Sequence, residues 1–156
     1  MTVSNSAFSR FLLINGPNLG RLGQRLPEIY GSTSLCELEA TIRNQAENLG
    51  VMVECFQSDT EGDIIKFIDE HRSAEALILN PGALMMSGWC LRDCLEDFAG
   101  VKIEVHISQI FAREGFRHSS VIADVMDCFL CGFGTDGYQL AFDAAVRLWA
   151  KRNDSQ

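Results

Sequence analysis

Two pairs of side chains in this 156-residue sequence have the residue types and spacing needed to move protons. Arg25 and Tyr30 lie in a segment rich in Gly and Pro, and Glu104 and His106 lie two residues apart in an apolar run. A guanidinium favours the phenolate form of a nearby tyrosine, which can then act as a base, while a histidine supplies the complementary acid. These residue types predict proton transfer on a small anionic polyol, without a cofactor.

The pair of Glu104 and His106 also has a purely structural interpretation. A single histidine in a strand is more often a hydrogen-bonded core residue than a functional one. An unpaired buried carboxylate is costly, however, and an apolar strand that keeps both residues near its end favours a functional use. Tyr30, taken alone, would be a partly buried aromatic residue of a loop.

The sequence lacks the usual motifs of other reaction classes. The glycines at 16, 20 and 23 do not fit G-x-G-x-x-G, and no G-K-[ST] follows them. A nucleophile elbow and a metal-binding helix are also missing from the sequence. Cys128 and Cys131 form a C-x-x-C, but positions three apart in a strand point to opposite faces, so we expect buried thiols here and at the other cysteines. The sequence therefore predicts neither a metal nor a cofactor.

Short apolar runs alternate with helical patterns along the chain. The predicted strands are 11–15, 51–56, 76–80, 101–107 and 128–133, and the predicted helices are 34–49, 61–72, 87–98 and 136–151. Such alternation is typical of a parallel sheet covered by helices on both faces. We therefore predict an α/β fold, a flavodoxin-like three-layer sandwich with a five-stranded parallel sheet, in a single domain over 1–156 with flexible ends at 1–8 and 152–156.

Ligands of such folds bind beyond the carboxyl ends of the strands. Residues 16–32 follow the first strand, Asn80 ends the third, and Arg113 and Arg117 follow the fourth. A loop as long as 16–32 without a period of its own is uncommon, so we expect it to be an active-site lid. Asn18 and Asn80 could equally be turn formers, because asparagine tolerates left-handed geometry.

Composition narrows the classes of partner. Thirteen Lys and Arg against 21 Asp and Glu give a net charge of −8, which argues against nucleic-acid or anionic-membrane binding. The longest apolar runs fall well short of the ~18–20 residues that span a bilayer, and the first ten residues do not read as a secretory signal. We expect a cytoplasmic protein.

Motif blocks along the chain occur in the order and at the spacing of a known family. The blocks are INGPNLGRLGQRLPEIYGST, FQSDTEGDIIKFI, NPGA, LRD, IEVHIS, AREGFRH and CGFGTDGY. With them, from Phe11 to Leu148, the sequence resembles the type II 3-dehydroquinate dehydratases. The resemblance implies a flavodoxin-like fold and the cofactor-free elimination of water from 3-dehydroquinate to 3-dehydroshikimate. It also implies that the chain assembles into trimers grouped as a dodecamer.

The resemblance assigns catalytic roles to five residues. Tyr30 matches the base that removes the proton alpha to the ketone, and Arg25 the lid arginine that favours the phenolate and stabilises the transition state. Asn18 matches the residue that stabilises the enolate through a bound water. His106, held by Glu104, matches the acid that protonates the departing hydroxyl.

Further matches concern the binding of substrate. Asn80 and the backbone amides of Ile107 and Ser108 match the positions that bind the carboxylate. Arg117 matches a contact to a ring hydroxyl, and Arg113 matches the second arginine of that segment. Asp93 matches a residue that reaches the site of a neighbouring subunit.

The sequence departs from the family pattern after the third strand. It reads NPGALMMSG, so Met86 stands where the family has a histidine that hydrogen-bonds a substrate hydroxyl. Methionine offers only a weak acceptor, and losing one such bond costs about 1–3 kcal/mol. Gln109, Phe111 and Gly115 replace residues that are commonly Asn, His and Glu. A paralogue acting on a related cyclic hydroxy acid and a non-catalytic binding module therefore remain alternatives at this point.

Overall fold

A computed structural model describes residues 8–24 and 26–155. Its sheet contains five strands, all parallel, in the order β2-β1-β3-β4-β5. The strands are β1 (Ser9–Asn15), β2 (Val51–Gln57), β3 (Ala76–Asn80), β4 (Val101–His106) and β5 (Cys128–Cys131). This topology confirms the predicted flavodoxin-like fold.

Helices cover both faces of the sheet. They are α1 (Pro27–Tyr30), α2 (Leu35–Glu47), α3 (Glu61–Glu70), α4 (Trp89–Glu96) and α5 (Gly137–Asp154). Alternate residues of β1 explain the layering, because Phe11 packs in a cluster with α2 and α5 while Leu12 packs in a second cluster with α3 and α4. The last helix runs to Asp154, three residues beyond the predicted end, so most of the expected flexible carboxyl end is helical.

The first residues of α2 confirm a motif read from the sequence. Ser34 precedes the helix, and its hydroxyl accepts a hydrogen bond from the Glu37 amide at 3.2 Å. The Glu37 carboxylate in return accepts from the Ser34 amide at 2.8 Å. This reciprocal pair satisfies donors that a helix would otherwise leave without partners.

The prediction of a buried fifth strand is wrong. All four residues of β5 are only half-buried, because the strand lies at the edge of the sheet and has β4 as its one neighbour.

The prediction of six buried thiols is also wrong, since Cys36 and Cys90 are exposed. Where burial does occur it raises the pKa of Cys55 to about 12 and that of Cys94 to about 11, which keeps these thiols protonated.

The register of the sheet brings the ends of the central strands together. Asn15 of β1 pairs with Asn80 of β3, and Leu79 of β3 pairs with Glu104 of β4. The loops that follow these strands therefore emerge at one edge. Of the helices in the described part of the chain, none has the length and apolar character required to cross a bilayer.

Replacing Ser34 by alanine should lower the free energy of unfolding by about 1 kcal/mol, because the hydroxyl that accepts from the Glu37 amide is lost. The bond from the Ser34 backbone amide to the Glu37 carboxylate does not need this hydroxyl. Urea unfolding at fixed protein concentration measures the loss. Thr41→Ala, an exposed change on the same helix, is the matched control and should stay within about 0.5 kcal/mol of the parent. Equal losses in both variants would contradict a capping role.

This penalty should depend on pH. Hydrogen bonds from the Ser34 backbone and then from its hydroxyl lower the pKa of Glu37 below its ordinary value of 4.5. A carboxylate with a lowered pKa contributes stability that is present above the unfolded-state pKa and is lost as pH falls through the folded-state value. The difference between Ser34→Ala and the parent should therefore narrow below pH 4.5.

Candidate active site

A cavity lies beyond the carboxyl ends of β1, β3 and β4. Most of the predicted site residues line it, namely Asn18, Tyr30, Asn80, His106, Ile107, Ser108, Arg113 and Arg117. Two loop segments, after β1 and after β4, and the ends of β3 and β4 contribute these residues, which are up to 99 positions apart in sequence. The tertiary fold thus brings together the groups that the motif blocks singled out.

Glu104 and His106 of β4 form a buried hydrogen-bonded pair. Glu104 is fully buried, and its Oε1 lies 2.7 Å from Nε2 of His106, whose side chain is 7% exposed. The two side chains share a face of the strand because they are two residues apart. Glu104 does not line the cavity; it lies behind His106 and orients the imidazole.

Ser120 completes this pair and was not singled out from the sequence. Its hydroxyl donates to Glu104, at 2.8 Å from Oε1 and 3.0 Å from Oε2. Serine is common in loops, so no sequence signal distinguished this residue from Ser119 beside it.

Tyr30 reaches the cavity from the end of α1. Its hydroxyl oxygen accepts a hydrogen bond from Nη1 of Arg113 at 2.9 Å, and the Arg113 guanidinium also lies 5.7 Å from the centre of the ring. Arg113 therefore places a positive charge at the phenolic oxygen. Arg25, the arginine predicted to act on Tyr30, lies outside the described residues.

The segment that carries Tyr30 is anchored to the body of the protein. Within residues 16–32, Leu19 and Leu22 are buried and join the core cluster beneath α2 and α5. The segment also contains a 3-10 turn, Leu19–Arg21, and the single turn of α1, so it has more regular structure than its sequence indicated.

Asn18 occupies a left-handed backbone conformation, with φ of 68°. Its backbone amide donates to Oδ1 of Asp59 at 2.8 Å, and its side-chain Oδ1 accepts from Nη2 of Arg21 at 3.0 Å. The turn-forming role considered for this residue therefore holds, and the residue lines the cavity as well.

A buried hydrogen-bonded chain supports the floor of the cavity. Nδ2 of Asn80 donates to the Tyr138 hydroxyl at 2.7 Å, and that hydroxyl donates to Oδ1 of Asn15 at 2.7 Å. Oδ1 of Asn80 accepts from the Gly82 amide at 3.1 Å, which fixes the turn that follows β3. Tyr138 is fully buried, and burial raises its pKa well above the ordinary value. Sequence reasoning missed Asn15 and Tyr138, whose only signal was their place at a strand end and in a motif block.

Two residues predicted to contact substrate, Met86 and Asp93, do not line this cavity. Met86 is half-buried and is not among the residues that line the cavity; Met85, which is 3% exposed, takes that place. Both belong to a 3-10 turn, in which successive side chains point about 120° apart. Asp93 is exposed on α4, where its side chain lies 3.5 Å from Arg92.

The two arginines after β4 share a carboxylate. Glu114 lies 3.0 Å from Nε of Arg117 and 3.6 Å from Nε of Arg113. A backbone hydrogen bond makes the largest contribution to holding the pKa of Glu114 below its usual value, and the guanidinium groups of Arg117 and Arg113 lower this pKa further. Arg113 also lies 3.4 Å from Oγ of Ser108, so it links this segment to the end of β4.

The two tyrosines of the chain should respond differently to loss of the hydroxyl. Tyr138→Phe removes the shared partner of two buried amides, and we expect a loss of about 1–3 kcal/mol in the free energy of unfolding. Tyr30→Phe, the matched control, alters a half-buried cavity wall and should cost less than about 1 kcal/mol. Chemical denaturation of both variants tests the difference, and similar losses would argue against the buried chain as a structural support.

Comparison with known proteins agrees with this geometry. A family model described as Dehydroquinase class II matches residues 9–146. A 3-dehydroquinate dehydratase of Bacillus cereus is 48% identical over 138 residues, which cover 88% of this chain and 94% of that protein. The type II dehydroquinase structure from Butyrivibrio crossotus superposes with a TM-score of 0.86 at 38% identity, covering 88% of this chain and 97% of that one. The corresponding structure from Propionibacterium acnes gives 0.83 at 38% identity, covering 86% and 94%. By sequence and by fold, the chain belongs to the class II dehydroquinase family.

Proposed function

We propose that this protein catalyses the cofactor-free elimination of water from 3-dehydroquinate to give 3-dehydroshikimate, with Tyr30 as the base and His106 as the acid. The observation that carries the assignment of roles is that Tyr30 and His106 line one cavity and that each is hydrogen-bonded to a charged type of side chain. The Tyr30 hydroxyl is bonded to a guanidinium and the His106 imidazole to a carboxylate. The family to which the chain belongs, and the names of its relatives, support the reaction.

The first step is removal of the proton alpha to the ketone. The phenolate of Tyr30 takes this proton, and the electron pair moves into the carbonyl to give an enolate. Arg113 donates to the phenolic oxygen at 2.9 Å and therefore stabilises the negative charge before the transfer, in addition to the role expected for Arg25. Asn18 holds the water that hydrogen-bonds the developing enolate oxygen.

The second step is departure of the hydroxyl group. The enolate electrons form the new carbon–carbon double bond as the carbon–oxygen bond breaks, and His106 gives a proton to the leaving oxygen. Because Nε2 of His106 donates to Glu104, Nδ1 is the nitrogen that serves the substrate. The negative charge of Glu104 stabilises the imidazolium until the proton is transferred.

Substrate is held by groups from the ends of β3 and β4. The backbone amides of Ile107 and Ser108 bind its carboxylate. An amide group has two N–H donors, and one of those on Asn80 is engaged by Tyr138, so the second is the one offered to the carboxylate. Arg117 contacts a ring hydroxyl. Met86 stays a predicted contact, with Met85 as the methionine nearer to the substrate in this chain.

We extend the proposal to assembly and location. The chain forms trimers grouped into a dodecamer, in which Asp93 reaches the site of a neighbouring subunit. The exposure of Asp93 and of Trp89 at the start of α4, which is 62% exposed, supports an interface on this helix. The free thiols of the chain are consistent with a reducing, cytoplasmic location. Nucleic acid and membranes are not partners in this proposal.

Activity is tested by mixing the purified protein with 3-dehydroquinate and following the absorbance of the conjugated enone product. Tyr30→Phe and His106→Asn should each lower kcat about 10²–10⁴-fold, because each removes a group that transfers a proton. The control Thr41→Ala, on the far face of α2, should retain the parent rate. An inactive parent protein would refute the function, and full activity in either variant would refute the role of that residue.

Assembly is tested by light scattering on the same preparation. A dodecamer of 17.3 kDa chains has a mass of about 208 kDa, and a dissociated trimer about 52 kDa. A single species of 17.3 kDa at micromolar concentration would contradict the proposed assembly without bearing on the chemistry.

A further inference from the structure

The hydroxyl of Ser120 contacts both oxygens of the Glu104 carboxylate, at 2.8 and 3.0 Å. Oε1 of Glu104 also binds His106, whereas Ser120 supplies the contact to Oε2. Within the described residues no second donor to Oε2 is found. A fully buried carboxylate oxygen that lost this donor would remain without a partner, which is costly in a protein interior.

The two residues that follow Ser120 hold it in place. The amide of Val121 donates to the carbonyl of Met85 at 2.6 Å, and Ile122 is fully buried in the cluster formed with α3 and α4. Glu104 is fixed from its own side, because β4 is an inner strand paired with β3 and β5. The hydroxyl and the carboxylate therefore meet between two rigid parts of the molecule.

We propose that Ser120 is a positioning residue of the active site, acting through Glu104 to set the orientation and the acidity of His106. The inference rests on the proposed function, in which His106 is the acid. It assigns a role to a residue that does not line the cavity and that touches neither substrate nor reacting atoms.

The physical effect follows from the charge on Glu104. Ser120 donates a hydrogen bond to the carboxylate and so shares its negative charge, which leaves less of it to attract the His106 proton. Without the Ser120 hydroxyl, the Glu104 carboxylate keeps more of its negative charge and holds the imidazolium proton more tightly. His106 then becomes a weaker acid, and its ring has one constraint fewer. Both changes slow the departure of the hydroxyl and leave the binding of substrate alone.

Ser120→Ala should lower kcat about tenfold, the equivalent of one hydrogen bond to a charged group, with KM changed less than about threefold. The alkaline limb of the kcat profile should move up by about 0.5–1 pH unit. Ser120→Thr keeps the hydroxyl and should restore both properties. Ser119→Ala, at the exposed neighbouring residue, is the matched control and should behave as the parent. If Ser120→Ala matched this control, or raised KM with kcat unchanged, the inference would be overturned.

A double-mutant cycle tests whether the effect passes through Glu104. In a Glu104→Gln background the carboxylate is gone, so adding Ser120→Ala should change kcat less than about twofold. The same tenfold loss in both backgrounds would mean that Ser120 acts by another route, such as the placement of Arg117. Circular dichroism of each variant establishes that the comparison is between folded proteins.

A substrate-independent readout separates this inference from the proposed function. The chain has three histidines, so 15N-histidine labelling and assignment with His106→Asn allow the His106 ring to be titrated by NMR. Its midpoint should rise in Ser120→Ala and return in Ser120→Thr, whatever the reaction proves to be. An unchanged midpoint would refute the inference even in an enzyme that turns over 3-dehydroquinate.

Discussion

A fully buried carboxylate, that of Glu104, is the constraint around which the active site is arranged. Removing such a charge from water is tolerated only when hydrogen bonds and a countercharge replace the lost solvation. His106 and Ser120 both contact this carboxylate, so strand β4 and the loop that follows it must meet at one place. The contact that satisfies the buried carboxylate and the contact that orients the His106 imidazole are therefore the same interaction.

The opposite side of the cavity depends on loops, and the parallel sheet determines where those loops lie. Every strand ends at the same edge, so the segment after β1 brings Tyr30 to the segment after β4, which contributes Arg113. Asn80, Tyr138 and Asn15 form a buried chain beneath them and tie two strand ends to α5. A fixed support beneath the cavity favours precise proton transfer, since small displacements of a proton donor and acceptor are costly.

Some expectations failed for reasons that are local in sequence but tertiary in origin. The apolar character of β5 predicted burial, but a strand is buried on both sides only if the sheet continues beyond it, and this strand is at the edge. Met86 stays a predicted contact, but within the 3-10 turn Met85 is the methionine that lines the cavity. Ser120 carried no signal at all, because a hydroxyl becomes distinctive only when a buried charge lies opposite.

The sequence by itself determined the order of strands and helices, the capping box of α2, the family and most of the residues that line the site, because periodicity, turn residues and motif spacing are local properties of the chain. Only the tertiary structure decided which groups touch. The bonds from Arg113 to Tyr30 and from Ser120 to Glu104, and the network around Tyr138, join residues 16 to 123 positions apart. Such contacts depend on how side chains from separate elements pack, and no local pattern encodes that packing.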